Sequence, residues 1–241
     1  MKDFIEIDNR RYRCTWVQKE IRFKGKAYAI ARELRGASAP EAADAGSAHL
    51  LRNGAREIFF SCKDADAAPL PDVFDTPAGR TFRHVYDMDW LEKDLTGLAP
   101  PKTALSLALL EKRNRAAFRR IYNECFFSIP ASTYTRTDIQ TLLVPDASRE
   151  AGLVLEAGQP IGTYELSFDE TPEIQGLGIT SAKREMGYGR QALGLIADAL
   201  RRRGFSRAGL LVCTANKTAY GLYLKEGFEK QRTQSRWYLM D

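Results

Sequence analysis

Histidine is nearly absent: the 241 residues include two, His49 and His84. They share no metal-ligand spacing, and neither lies near a nucleophile-elbow pattern. A His-dependent catalytic triad therefore has almost nothing to recruit. The four cysteines, Cys14, Cys62, Cys125 and Cys213, are far apart and form no C-x-x-C pair. That argues against a zinc site or a redox motif, and the expectation is four reduced, mostly buried thiols. No apolar run approaches the ~20 residues needed to cross a bilayer. The opening stretch MKDFIEIDNRRYRC lacks the apolar core of a secretory signal, so no membrane partner is expected and the expected compartment is the cytoplasm.

Charge of one sign is also not concentrated. The net charge is +5, and the densest basic run is LRRRGF, residues 200–205. Cations in the last turn of a helix complement its dipole, and Gly204 is a natural helix stop. A nucleic-acid partner, suggested by the pI of about 9.0, is therefore disfavoured.

What is present is ordinary globular composition, 44% hydrophobic and 28% charged. Its length suits one large or two small domains. GLAPPKT, residues 97–103, is the best linker candidate, because a proline pair interrupts helix and strand alike. It suggests a first module at 1–97, a linker at 98–103 and a second module at 104–241.

In the second module, TALSLALL predicts a short strand. EKRNRAAFRRIYNECF predicts an amphipathic helix with Ala117, Ile121 and Cys125 on one face, and YTRTDIQTLLV a second helix. AGLVLEA and PIGTYELSF read as a hairpin turned at residues 158–160. PEIQGLGIT is another strand. A helix follows from Gly189, then the strand RAGLLVCT, the helix KTAYGLYLKE and the strand QRTQSRWYLM. This order predicts an α/β (α+β) fold with a mixed sheet.

The first module reads as a partial repeat. LLRNGAREIFFSC and LRRRGFSRAGLLVC align to within one residue and each ends on cysteine. RHVYDMD and RWYLMD both end on Met-Asp. The first module lacks two opening helices, and where the second has SAKREMGYGR it has ARELRGASAP.

That second stretch carries Arg184, Gly187 and Gly189 in an R-x-x-G-x-G spacing, between a strand and an amphipathic helix. A helix start presents unpaired N–H groups and the positive end of the dipole. Glycines let a backbone approach phosphate oxygens closely. The spacing is neither a Walker loop nor a dinucleotide fingerprint.

EIQGLGITSAKREMGYG, followed by NKTAYGLYLKEGF, resembles the GNAT superfamily of acyl-CoA-dependent N-acetyltransferases. The first stretch is similar to the family's strand, turn and pyrophosphate loop, and the second to its later helix. The resemblance covers residues 103–241; the first module resembles a truncated GNAT half more weakly. It implies a mostly antiparallel central sheet flanked by helices, with acetyl-CoA as co-substrate and an amine as acceptor. Two departures stand out. The turn is Ser181-Ala182-Lys183, without the family's proline and acidic residue. Glu185 and Met186 precede Gly187 where a basic residue is usual.

By resemblance, the pyrophosphate would lie on the main chain from Arg184 through Gly187, Tyr188 and Gly189 to Arg190. Ile179 and Ser181 would pair with the pantetheine arm through their main chain. Asn216 is either a contact to that arm or a plain helix N-cap. Tyr223 is the candidate acid for the departing thiolate, with Tyr220 as its rival and packing against Phe228 as its plain role. Glu173 is the candidate base, with Glu165 as alternative, and a structural role stays open for both. The acceptor mouth is expected from FFSIPASTYTRTD and QRTQSRWYLM. A non-catalytic acyl-CoA sensor remains the alternative function, and a homodimer stays open.

Overall fold

The computed structural model describes residues 2–241. The chain runs β1 (Phe4–Asp8), β2 (Tyr12–Val17), α1 (Ile21–Lys24), β3 (Lys26–Leu34), α2 (Ala39–Arg52), β4 (Glu57–Cys62), β5 (Val73–Asp75), β6 (Thr81–Asp94) and β7 (Leu105–Leu109). It continues with α3 (Arg115–Phe126), α4 (Arg136–Leu142), β8 (Arg149–Glu156), β9 (Gln159–Ser167), β10 (Glu173–Ile179), α5 (Tyr188–Arg202), β11 (Arg207–Cys213), α6 (Lys217–Lys225) and β12 (Glu229–Met240). This is the expected mixed α/β class, with mostly antiparallel pairing.

The chain divides into two compact units that are not cut at one point. The first holds Met1–Met88, Cys213–Ala215 and Thr233–Asp241; the second holds Asp89–Val212 and Asn216–Arg232. β6 therefore starts in the first unit and ends in the second, and β12 does the reverse. The proline segment 97–103 belongs to the second unit.

In the second unit the strand order is β12-β6-β11-β10-β9-β8-β7. β7 through β10 pair antiparallel, and β10 and β11 are parallel. The β8–β9 turn is Ala157-Gly158, with φ of 47° and 77°, the doubly left-handed geometry that matches strand twist in a two-residue hairpin. Alternation along β8 divides the core. Val154 joins Leu193, Ile196 and Leu200 of α5, whereas Leu153 joins Phe118, Ile121 and Cys125 of α3. Each such buried aliphatic side chain contributes about 1.5–3 kcal/mol.

α3 begins four residues later than its sequence pattern suggests. The Asn114 side chain accepts from the Glu111 N–H at 2.8 Å and donates to the Leu109 carbonyl at 2.8 Å. That closes a turn where the first helical turn was expected. α3 lies tight on β10: a Cβ at Gly178 would sit 2.7 Å from Cys125 Cβ.

In the first unit the order is β1-β2-β3-β4-β12-β6, with β5 on β6. α2 starts on a Ser38–Glu41 capping box with proline in its first turn. α2 and β4 repeat the local build of α5 and β11. Ala55 N–H bonds Leu50 O at 3.1 Å, and Phe205 N–H bonds Leu200 O at 3.3 Å; Gly54 and Gly204 both bond three residues back at 2.9 Å. Both glycines are left-handed, at φ 87° and 93°, so the aligned sequence stretches fold into the same turn. Helix α1, strand β5 and the fourteen-residue length of β6 went unread in the sequence.

Candidate active site

The loop ahead of α5 is shaped by its backbone. Gly187 is the N-cap, at φ 77° and ψ 2°, and no side chain caps the helix. Glu185 is also left-handed, at φ 63°, a conformation that costs a non-glycine residue about 1 kcal/mol or more. Left-handed residues flanking a helix start turn successive N–H groups toward one concavity, the usual form of a main-chain anion site. Packing does not demand the glycines. A Cβ at Gly187 would meet only Gln191 Nε2, at 3.9 Å, and one at Gly189 only Leu222 Cδ2, at 3.5 Å. A CoA pyrophosphate fits such an open, uncapped cradle.

The loop's side chains are mostly engaged by the protein. Lys183 pairs with Glu156 at 2.6 Å, and Tyr188 donates to the same carboxylate. Arg190 pairs with Glu226 at 2.8 Å. Arg184 Nε donates to the Ile179 carbonyl at 3.2 Å, tying the loop back to the end of β10. Ser181 donates its N–H at 3.0 Å and its hydroxyl at 2.9 Å to Glu124 on α3, which holds that carboxyl below its ordinary range. The Ser181 amide is thus already bonded.

Behind the loop, β10 and β11 share one registered pair, Glu173↔Gly209, reinforced by Gly209 N–H to Pro172 O at 2.9 Å. Toward the loop the two strands have no further registered pair, which leaves a wedge. On its other edge β10 follows β9 with a bulge between Gln175 and Gly178. Gly176 is left-handed there, at φ 55°, and its carbonyl accepts from the Thr163 hydroxyl at 3.1 Å. Bulges re-aim main-chain groups, and this one lies midway along the wedge.

Two carboxylates flank the bulge on one sheet face. Glu165 stands directly opposite Gln175, and Glu173 is two residues before it, so all three share a side. Glu173 accepts from Gln175 Nε2 at 2.9 Å, and burial raises its pKa. Glu165 is more enclosed. Burial pushes its carboxyl up to about 7, against the opposing hydrogen bond from Tyr134. The Tyr134 hydroxyl donates to Glu165 Oε2 at 2.9 Å, while Oε1 is buried with no partner. Tyr134 is itself held by stacking on Tyr122, with ring centroids 4.3 Å apart.

A phosphate cradle at a helix start, a half-opened parallel strand pair leading away from it and buried carboxylates beside the opening make one arrangement. The acetyltransferase (GNAT) family profile matches over residues 115–228, which span every part of it. Those residues are a GNAT domain. Solved structures share the fold over more of the chain. A GCN5-related N-acetyltransferase from Kribbella flavida is 15% identical, with a TM-score of 0.55, covering 99% of this chain and 89% of that one. A functionally unknown conserved protein from Staphylococcus epidermidis is 16% identical, with a TM-score of 0.63, covering 99% and 93%. A GNAT-family acetyltransferase structure from Novosphingobium aromaticivorans is 18% identical at a TM-score of 0.52, covering 88% and 82%. No curated protein matches the chain significantly.

The remaining singled-out residues lie on α6 of the GNAT domain. Tyr223 packs its ring 5.9 Å from Phe228, and burial pushes its phenol up to about 12. Tyr220 donates its hydroxyl to Asp89 at 2.8 Å; Asp89 is 1% exposed and also pairs with Lys230 at 2.9 Å. The rival phenol is thus engaged in a structural network. Asn216 caps α6, accepting from the Ala219 N–H at 3.3 Å. Glu124 and Tyr134 went unassigned in the sequence. Tyr134 lies in the stretch flagged for the acceptor mouth, but nothing local marks Glu124.

Proposed function

We propose that the GNAT domain transfers an acetyl group from acetyl-CoA to a primary amine within a ternary complex. The observation that carries this is the strand pair β10–β11, registered at one residue pair and open toward an uncapped, glycine-lined helix start. A phosphopantetheine arm has that shape: a polyanion joined to a narrow chain that needs main-chain partners. The main chain of residues 184–190 would hold the pyrophosphate, with Ile179 and the bulge beside the arm.

Acetyl-CoA supplies an activated acyl carbonyl. Residues of the chain manage the protons. An ammonium must lose a proton before its nitrogen can attack, and the acceptor of that proton works best with a pKa near the working pH. Glu165 meets that condition better than Glu173, because its pKa is near 7 and one buried oxygen is unbonded. We therefore assign Glu165 as base, acting directly or through one water, and Glu173 as a neighbour that raises negative charge on the same face. Tyr223 holds its proton throughout the neutral range and can give it to the departing sulfur.

The first unit is proposed to be a truncated, non-catalytic GNAT-like module. Its β3 and β4 are the counterparts of β10 and β11, but they are zipped through six pairs, Lys26↔Glu57 to Ala31↔Cys62. A second reading, an acyl-CoA sensor without turnover, is favoured by one observation: Glu124 occupies the Ser181 amide and places a carboxylate near the proposed phosphates. Calorimetric titration with acetyl-CoA, followed by an amine panel, separates the two. Micromolar binding lost in Gly187→Trp/Gly189→Trp, with turnover, supports the enzyme. Binding without turnover on any amine supports the sensor, and no binding by the wild type overturns both.

A further inference from the structure

A cavity of about 580 Å³ opens beside the glycine loop, lined wholly by residues of the second unit. Gly187 and Arg190 line it on the loop side, Pro101 and Phe228 form apolar wall, and Lys93 and Lys102 bring cations to it. One wall is therefore the proline segment that joins β6 to β7. That segment is fixed along α5. The Thr103 hydroxyl donates to Gln191 Oε1 at 2.7 Å, and Pro101 lies so near Gly194 that a Cβ there would be 3.4 Å from Pro101 Cβ.

The charges around the cavity are unequal. Glu226 is its one lining carboxylate and already answers Arg190 at 2.8 Å. Lys93 donates to the Glu226 carbonyl at 2.5 Å. Lys102 is exposed and has no ion pair among the described residues. A cavity with an apolar wall, an excess of positive charge and a common border with a phosphate cradle is suited to a purine nucleotide that carries a further phosphate.

We infer that this cavity takes the nucleotide end of CoA, with the purine against Pro101 and Phe228 and the ribose 3′-phosphate at Lys102. The inference rests on the acyl-CoA reading above. It gives the proline segment a binding role in addition to joining two strands.

Dephospho-CoA, which lacks only the 3′-phosphate, provides the test. Equilibrium titrations of the wild type should show CoA binding more tightly than dephospho-CoA by on the order of tenfold, the worth of one charge-assisted contact. Lys102→Glu should weaken CoA by at least as much and leave dephospho-CoA within about twofold. Thermal unfolding of the variant checks its fold. Equal affinities for the two ligands in the wild type would overturn the inference and leave the acyl-CoA reading standing. Equal losses for both ligands in the variant would likewise overturn it. Failure of the wild type to bind either ligand would overturn the acyl-CoA reading, and this inference with it.

Discussion

Glu165 and Glu173 have the same side-chain chemistry, share a sheet face and lie within one bulge of each other, yet their environments differ. The difference comes from Tyr134, thirty-one residues away in sequence, whose ring closes over Glu165 from the α3–α4 connection. Sequence periodicity places both carboxylates on one face but cannot say which of them a distant aromatic covers. Glu165→Gln is expected to lower kcat/KM by roughly 10²–10⁴ and to abolish the acidic limb of its pH profile near pH 7; Glu173→Gln should keep that limb. Stability should respond with a definite sign. The folded-state pKa of Glu165, about 7, lies above its ordinary 4.5, so its contribution is complete below about pH 4.5 and is lost as pH rises through 7. Glu165→Gln does not titrate. Its unfolding free energy should therefore gain on the wild type by up to about 3 kcal/mol between pH 4.5 and 8, read from denaturant midpoints at each pH. Tyr223 offers the opposite case. With its pKa near 12, it should impose no alkaline limb below pH 10, and Tyr223→Phe should lower kcat without moving the acidic limb.

At the scale of elements, most of the second unit was legible in its sequence. The order of strands and helices from β7 to β12 follows from the alternation of apolar positions, the helical spacing in α5 and the glycine stops at 204 and 227. Boundaries shifted where side chains bond the backbone locally, as Asn114 does before α3. The wedge was not legible in this way, because a strand's pattern records which face is buried and not which edge is bonded. Glycines in these elements play different parts, and substitutions should separate them. Gly178 lies under Cys125 and Phe126, so Gly178→Ala should destabilise by about 1–3 kcal/mol through overpacking. Gly221 sits inside α6 with nothing near a Cβ, so Gly221→Ala should stabilise by about 0.5–1 kcal/mol. Thermal unfolding of the two variants checks both directions.

The whole molecule holds one helix–strand unit twice, and its likeness to solved structures runs across nearly all of its length. The aligned stretches ending on Cys62 and Cys213 announced that duplication, and the matching glycine turns after α2 and α5 bear out the local alignment. The sequence could not show that the C-terminal strand would return to the first unit, since pairing partners so far apart leave no local trace. Nor did the contiguous boundary at the prolines foresee that this segment would pack along α5.

The six-pair closure of β3 on β4 sets the arithmetic of ligand binding. An arm can enter between parallel strands only where their ladder is open, and unzipping six residue pairs would sacrifice several hydrogen bonds at about 1 kcal/mol each. A chain built from a duplicated unit should therefore titrate as though it had one: calorimetry should give one CoA per polypeptide, with a single binding isotherm and no second phase at high ligand. A stoichiometry of two would mean that the first unit opens its own strands and is a working half.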